Sequence, residues 1–359
     1  MPSVDDAVAV LQARIRDAAD AQQALRIRGG GSKEFYGRRI EGDVIDTRGL
    51  RGIVDYAPTE LVITARGGTP LDEMDEALAQ ANQMLACEPP RYAAGTTLGG
   101  AVAAGLSGPR RPYAGAVRDF VLGVRVVDGT GEALRFGGRV MKNVAGFDVA
   151  RLMAGSLGTL GVLTEISLKC LPRPAVEATS VRECSADESI RLANEWGGRP
   201  LPVSATCYCG GRFWVRLSGA EAAVNAARGV IGGEDEPDGA MFWDRVRDHA
   251  HPFFATAQAL GRTLWRLSVR STTPYSDLGG EQLIEWGGAL RWLSADPGAD
   301  AERVRAWART HGGHATCFRG TAGAVFQTLP PQVLALHQRL KHVFDPHGIL
   351  NRGRMYPEL

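Results

Sequence analysis

Three glycine-rich turns hold the residues with the most chemistry to offer: Arg28-Gly-Gly-Gly-Ser-Lys33, Gly95-Thr-Thr-Leu-Gly-Gly-Ala101 and Gly155-Ser-Leu-Gly-Thr-Leu-Gly161. Each adjoins an apolar or β-branched run, where a strand should meet a helix or a turn. Glycine lets bare backbone N–H groups approach a ligand, and successive N–H groups make an anion-binding concavity, so the chemistry on offer is phosphate recognition. In the first turn Arg28 or Lys33 can add charge. Neither common nucleotide fingerprint fits: Glu34 stands where a dinucleotide-binding pattern needs its third glycine, and no G-x-x-x-x-G-K-[ST] occurs. Three loops converging on one long phosphate-bearing cofactor is the reading that uses all of them. Plain tight turns are the alternative.

The other polar clusters offer less. His311-Gly-Gly-His314 has the spacing of two ligands on a turn, but no Asp, Glu or Cys follows closely to complete a metal site. His337, His342 and His347 stand five apart and fall on different helix faces. Cys207-x-Cys209 is too tight for a C-x-x-C, and the six scattered cysteines read as reduced structural thiols. We expect no metal and no iron–sulfur cluster on this chain.

The elements that must position the turns follow from periodicity. Residues 3–19 predict a helix with Ser3 as its cap and Val4, Val8, Leu11 and Ile15 as its apolar stripe. A short strand at 24–27 delivers the chain into the triple-glycine turn. Further strands are expected at 44–46, 53–55 and 61–65. A helix then opens at Thr69-Pro70 and carries Leu71, Met74, Leu78, Ala81 and Leu85 on one face. Asp128-Gly-Thr-Gly131 is the turn of a hairpin between 123–127 and 132–136. A long strand at 160–171 ends at Pro172-Arg-Pro174, the clearest domain boundary.

Beyond it lie all seven tryptophans, between Trp196 and Trp307. Strands are expected at 212–217, 263–270 and 289–293, with helices at 221–230 and about 299–311, giving an antiparallel sheet with helices on one face. A last helix spans 331–344. The divisions are thus 1–172, 173–330 and a returning segment 331–359.

Composition bounds the function. The chain has 359 residues, 44% apolar and 23% charged, with a net charge of +1. That is a soluble pattern, and it argues against nucleic acid as the main partner. No apolar run is long enough for a membrane span and the N-terminus lacks a secretory pattern, so a cytoplasmic protein is expected.

The order and spacing of the segments resemble the flavin-binding PCMH domain of the vanillyl-alcohol oxidase type. The matching stretches are Arg28–Lys33, Tyr56–Ile63, Gly95–Gly108, Arg118–Val127, Lys142–Asp148, Gly155–Glu165 and Asp345–Asn351. The resemblance implies an α+β fold: a PCMH-type FAD-binding domain of two α/β subdomains, with an α+β cap of antiparallel sheet and flanking helices. It implies FAD as cofactor, seated on Arg28, Gly29, Gly30, Gly31, Ser32 and Lys33 and on Gly95, Thr96, Thr97, Gly99, Gly100, Ala104, Gly105, Ser107 and Gly108. Arg118, Asp119, Lys142, Gly158, Gly161, Val162 and Asn351 complete the expected cofactor set. Lys142 could stabilise an anionic reduced ring or be a solvated loop lysine. Val162 could lie along the flavin or simply be a buried strand residue. Covalently flavinylated relatives often carry histidine where Ser32 stands, so the resemblance implies non-covalent FAD.

Within the family the chain most resembles the FAD-binding E-type subunits of bacterial glycolate oxidases. Leu157 replaces the acid of the commoner G-S-E-G-T-L-G, and the cap has no G-D-G-N-x-H cluster. The resemblance implies a subunit that relays electrons from glycolate oxidation beside a paralogous flavin subunit and an iron–sulfur subunit, touching the inner face of the cell membrane only through that complex. The catalytic residues stay unassigned. Two alternatives remain open: a self-sufficient 2-hydroxy-acid (D-lactate or glycolate) dehydrogenase drawing on Arg270, His314 or Arg319, and a structural subunit without flavin.

Overall fold

The computed structural model describes residues 4–139, 148–320 and 324–359. The chain divides into two compact units: residues 1–106, 116–172 and 328–359 form one, residues 107–115 and 173–327 the other.

The first unit begins with the helix Val4–Asp20. Its stripe of Leu11, Ile15, Ala18 and Ala19 buries against Leu25, Ile45 and Leu350, and each fully buried Leu or Ile there contributes roughly 1.5–3 kcal/mol. The strand Leu25–Arg28 pairs in parallel with Asp43–Asp46, and Leu350 bridges its other edge, which brings the C-terminal segment back to this unit. An antiparallel sheet of five strands runs in the order Ile53–Ala57, Val62–Arg66, Val162–Lys169, Val121–Val127, Ala133–Gly137. Asp128 shapes the hairpin turn: its Oδ1 accepts from the N–H groups of Thr130 (2.9 Å) and Glu132 (3.0 Å).

One expected helix differs in detail. It spans Leu71–Gln80, so Leu85 lies beyond its end, and Pro70 occupies the N-cap without a side-chain bond. The Thr69 hydroxyl instead exchanges hydrogen bonds with the backbone of Gly52, donating to its carbonyl (3.2 Å) and accepting from its N–H (3.0 Å). The demand of a neighbouring loop outcompetes the local cap.

The second unit is built on eight strands in the order Glu234–Asp235, Val176–Glu183, Arg212–Gly219, Val203–Cys209, Gly280–Glu285, Leu290–Ala295, Thr263–Ser268, His314–Arg319. Every recorded pairing in it is antiparallel. On one face Phe213, Val215 and Leu217 pack with the helices Ala186–Gly197 and Glu221–Ile231. Farther along, Trp265 and Leu293 pack with the helix Ala301–Thr310.

The expectation of helices on one face alone is corrected. Trp214, which alternates with Phe213 and Val215, stacks on Phe242 of the helix Gly239–Arg247 at 4.5 Å. Trp292 meets Phe254 of the helix Pro252–Ala259 edge-on. Trp214 and Trp292 are too apolar to face water over a whole sheet, and these two helices cover them.

The excursion 107–115 also belongs here. Arg110 donates to Glu177 Oε2 (2.5 Å) and Ser218 Oγ (3.2 Å), while the Gly108 carbonyl accepts from Trp286 Nε1 (3.1 Å).

Candidate functional site

The strand Leu25–Arg28 ends in the triple-glycine turn, and the Gly95–Thr97 turn lies against it without an intervening side chain. A Cβ on Gly30 would overlap the Gly95 carbonyl oxygen, and one on Gly29 would overlap Thr97 Oγ1. The Thr96 hydroxyl lies 2.8 Å from Ser32 Oγ. Among the described residues the N–H groups of Gly29, Gly30, Gly31 and Ser32 meet no acceptor within the chain. Four successive open donors, beside the cations Arg28 and Lys33, suit a pyrophosphate. Arg28 also pairs with Glu34 (2.9 Å), and Lys33 lies over the Tyr92 ring at 5.6 Å.

The circuit continues into the third turn. Thr97 caps the short helix Leu98–Ala104, its hydroxyl accepting from Gly100 N–H (3.3 Å), and the Gly99 N–H donates to the Gly67 carbonyl (2.7 Å). Gly105, in the left-handed region, ends that helix where a Cβ would press on Gly155. The Gly155 and Leu157 N–H groups donate to the carbonyls of Val102 (3.0 Å) and Ala103 (2.8 Å). Asn351 then closes the ring. Its Oδ1 accepts from Ile27 N–H (2.8 Å), and its Nδ2 donates to the Leu157 carbonyl (2.6 Å). Gly158 makes room for it, because a Cβ there would crowd Asn351 Nδ2.

The remaining expected residues are placed differently. Ala104 is buried in its helix, Gly161 packs on Val126 and Val127, and Val162 opens a buried strand. Asp119 accepts from the Ala116 N–H (2.9 Å) and Arg118 is largely exposed. Ser107 and Gly108 fall in the second unit. Lys142 lies outside the described residues.

Two residues that sequence reasoning passed over hold the turns from the C-terminal side. Lys341, on the helix Pro331–Phe344, donates to the Thr159 carbonyl (2.8 Å), the Leu350 carbonyl (2.7 Å) and Asp345 Oδ2 (2.6 Å). Burial pushes its ammonium below the usual lysine range, and Asp345 opposes that shift. Arg354 donates to the carbonyls of Glu34 (2.9 Å), Tyr36 (2.7 Å) and Arg38 (2.9 Å). The i, i+4 spacing of Lys341 and Asp345, just before Pro346, was the available signal.

In the second unit the candidates Arg270, His314 and Arg319 do not form one constellation. His314 and Arg319 stand at opposite ends of one strand, paired with Ser268 and Leu264, and Arg270 is exposed. Among the described residues no three His, Cys, Asp or Glu side chains cluster as a metal ion would require. Burial pushes the Cys207 thiol well up and the Cys209 thiol to about 11, which disfavours thiolate formation near neutral pH.

A FAD-binding domain family matches residues 6–137. Glycolate oxidase subunit GlcE of Escherichia coli (strain K12) is 51% identical over 346 residues, covering 96% of each chain. Glycolate oxidase subunit GlcD of Bacillus subtilis (strain 168) is 42% identical over 84 residues, 23% of this chain and 18% of GlcD. A solved alkyldihydroxyacetonephosphate synthase superposes with a TM-score of 0.65 at 15% identity, over 95% of this chain and 73% of that one, which shows a shared fold. Half-identity from end to end decides the assignment: the chain belongs to the family of the glycolate oxidase subunit GlcE, FAD-dependent oxidoreductases of the PCMH type.

Proposed function

We propose that the chain is the FAD-binding subunit of a complex that oxidises a 2-hydroxy acid, with glycolate the first candidate. The observation that carries this reading is the identity to GlcE, which runs through both units rather than the flavin domain alone. When bound, FAD supplies an acceptor for two electrons that can be passed on one at a time. The N–H groups of Gly29–Ser32 would hold its pyrophosphate, with Arg28 and Lys33 adding charge. Ser32 offers a hydroxyl and no imidazole, so the cofactor is held without a covalent link. Asn351, Lys341 and Arg354 fix the turns before the ligand arrives, which lowers the ordering cost of binding.

The partners are a paralogous flavin subunit and an iron–sulfur subunit. GlcD similarity is confined to less than a quarter of this chain, which fits a related partner more than an equivalent one. No helix among the described residues is long and apolar enough to cross a membrane, and we assign membrane contact to the assembled complex. The test begins with the absorbance spectrum of the purified chain. Flavin bands fully released by acid support dissociable FAD. Bleaching by glycolate only after the partner subunits are added supports the relay role. Bleaching of the isolated chain would replace it with a self-sufficient dehydrogenase, and a colourless chain that ignores added FAD would leave a scaffold.

A further inference from the structure

Arg266 sits in the strand Thr263–Ser268, paired with Trp292 on one neighbouring strand and Thr316 on the other. Its guanidinium carbon is 5.1 Å from the centre of the Trp286 ring and 6.0 Å from that of Trp292. Both indoles are buried and pinned: Trp286 Nε1 donates to the Gly108 carbonyl (3.1 Å) and Trp292 Nε1 to Glu285 Oε2 (2.8 Å). Trp286 also holds a left-handed φ of 55°, a conformation that costs energy for a bulky side chain and persists only where its surroundings impose it.

Against these fixed walls the guanidinium is partly buried, yet it makes no hydrogen bond or ion pair with any described residue. Other arginines of this unit behave differently. Arg291 donates to backbone carbonyls and Arg216 to Ser204, whereas Arg212, Arg245 and Arg270, which have no such acceptor, are exposed to water. The local field is positive as well: burial first, then Arg319 and Arg266, push the His249 imidazole well below its ordinary range.

We propose that Arg266, flanked by Trp286 and Trp292, is a receptor for a small carboxylate. The guanidinium fork matches a carboxylate in two parallel hydrogen bonds, and the two indole walls suit a small anion. A phosphate would be expected to prefer the first unit's turn, which offers several N–H groups and two cations. The choice of glycolate as ligand rests on the function proposed above; the receptor itself does not.

The test is calorimetric titration of the full-length, FAD-loaded chain with glycolate, oxalate and inorganic phosphate. Arg266→Gln is expected to weaken carboxylate binding by about 10- to 100-fold, the range for charge-assisted hydrogen bonds. Arg270→Gln, at an exposed position, should leave it within about twofold. Should Arg266→Gln lose its fold by circular dichroism, Arg266→Lys decides, since it keeps the charge and loses the fork. Weaker carboxylate binding by the lysine variant supports the receptor, and unchanged binding overturns it. Wild-type affinity in a folded Arg266→Gln, phosphate binding as tightly as the carboxylates, or absence of binding by both carboxylates would also overturn it. If oxalate binds through Arg266 and glycolate does not, the receptor stands and glycolate falls as its ligand.

Discussion

The cations that shape the two candidate sites work in opposite ways. In the first, Lys341 and Arg354 point their N–H groups at backbone carbonyls, so they build loop shape and leave the N–H groups of Gly29–Ser32 open. In the second, Arg216 and Arg266 lie over indole rings, and recognition there depends on side chains held by neighbouring strands. A site made of backbone needs residues that stay out of the way. A site made of side chains needs residues that arrive from distant positions in the sequence.

The largest expected effect is at the support of the backbone site. Asp345 is 1% exposed and accepts from Lys341, Ile349 N–H (3.2 Å) and Leu350 N–H (2.8 Å). Asp345→Ala leaves the Lys341 ammonium buried without its counter-charge, which costs about 3–5 kcal/mol. The melting temperature should fall by on the order of 10 °C. A fall of only a degree or two would show that Thr159 and Leu350 suffice to hold the lysine.

Next comes the contact between turns. Gly30→Val places side chain where the Gly95 carbonyl oxygen lies, and overpacking of this kind costs about 1–3 kcal/mol or more. Because the strain falls on the turn itself, FAD affinity should drop by about 10- to 100-fold when flavin is titrated into apo protein. Unchanged affinity would move the pyrophosphate elsewhere. Asn351→Ala follows, leaving the Ile27 N–H and the Leu157 carbonyl without their partner at about 1–3 kcal/mol. Asn351→Asp keeps the acceptor for Ile27 and loses the donor to Leu157, so its FAD affinity should fall between those of wild type and alanine. An aspartate variant no better than alanine would mean that the Leu157 side of the bridge carries the effect.

This contrast also explains what was legible in the sequence. The glycine turns announce themselves because glycine has few other uses at a strand end, and their order carried the family resemblance. The supports did not: Lys341 looks like a surface lysine on a helix, and its burial comes from Asp345 one turn on and from Thr159 and Leu350, which the sequence does not place beside it. Asn351 was expected to touch cofactor, and in the structure both ends of its amide bridge strand and turn. Arg266 carries no signal in its own segment, since its neighbours Trp286, Trp292 and Thr316 come from three later stretches of chain. The helices Gly239–Arg247 and Pro252–Ala259 were missed because short aromatic runs have no clear period.

The smallest expected effect separates the units by pH. His251 Nδ1 accepts from Phe253 N–H (3.3 Å) at the start of the helix Pro252–Ala259, so the folded unit needs a neutral imidazole there. Burial, then Arg245, lowers its pKa to about 4, and His249 shifts in the same direction. An unfolded histidine titrates near 6.5, so between about pH 6.5 and 4 the unfolded chain takes up protons that the folded unit refuses. Stability is therefore intact above pH 6.5 and declines as pH falls through that window; below about 4 the His251 contribution stops changing. All seven tryptophans lie in the second unit, so their fluorescence during denaturant unfolding reports this unit alone. His251→Asn keeps an acceptor for the helix N-terminus and removes the proton uptake, so its midpoint should depend less on pH than that of wild type. Equal pH dependence in the two proteins would exclude His251 and leave His249 and His314, both lowered by burial, as the acid-sensitive groups.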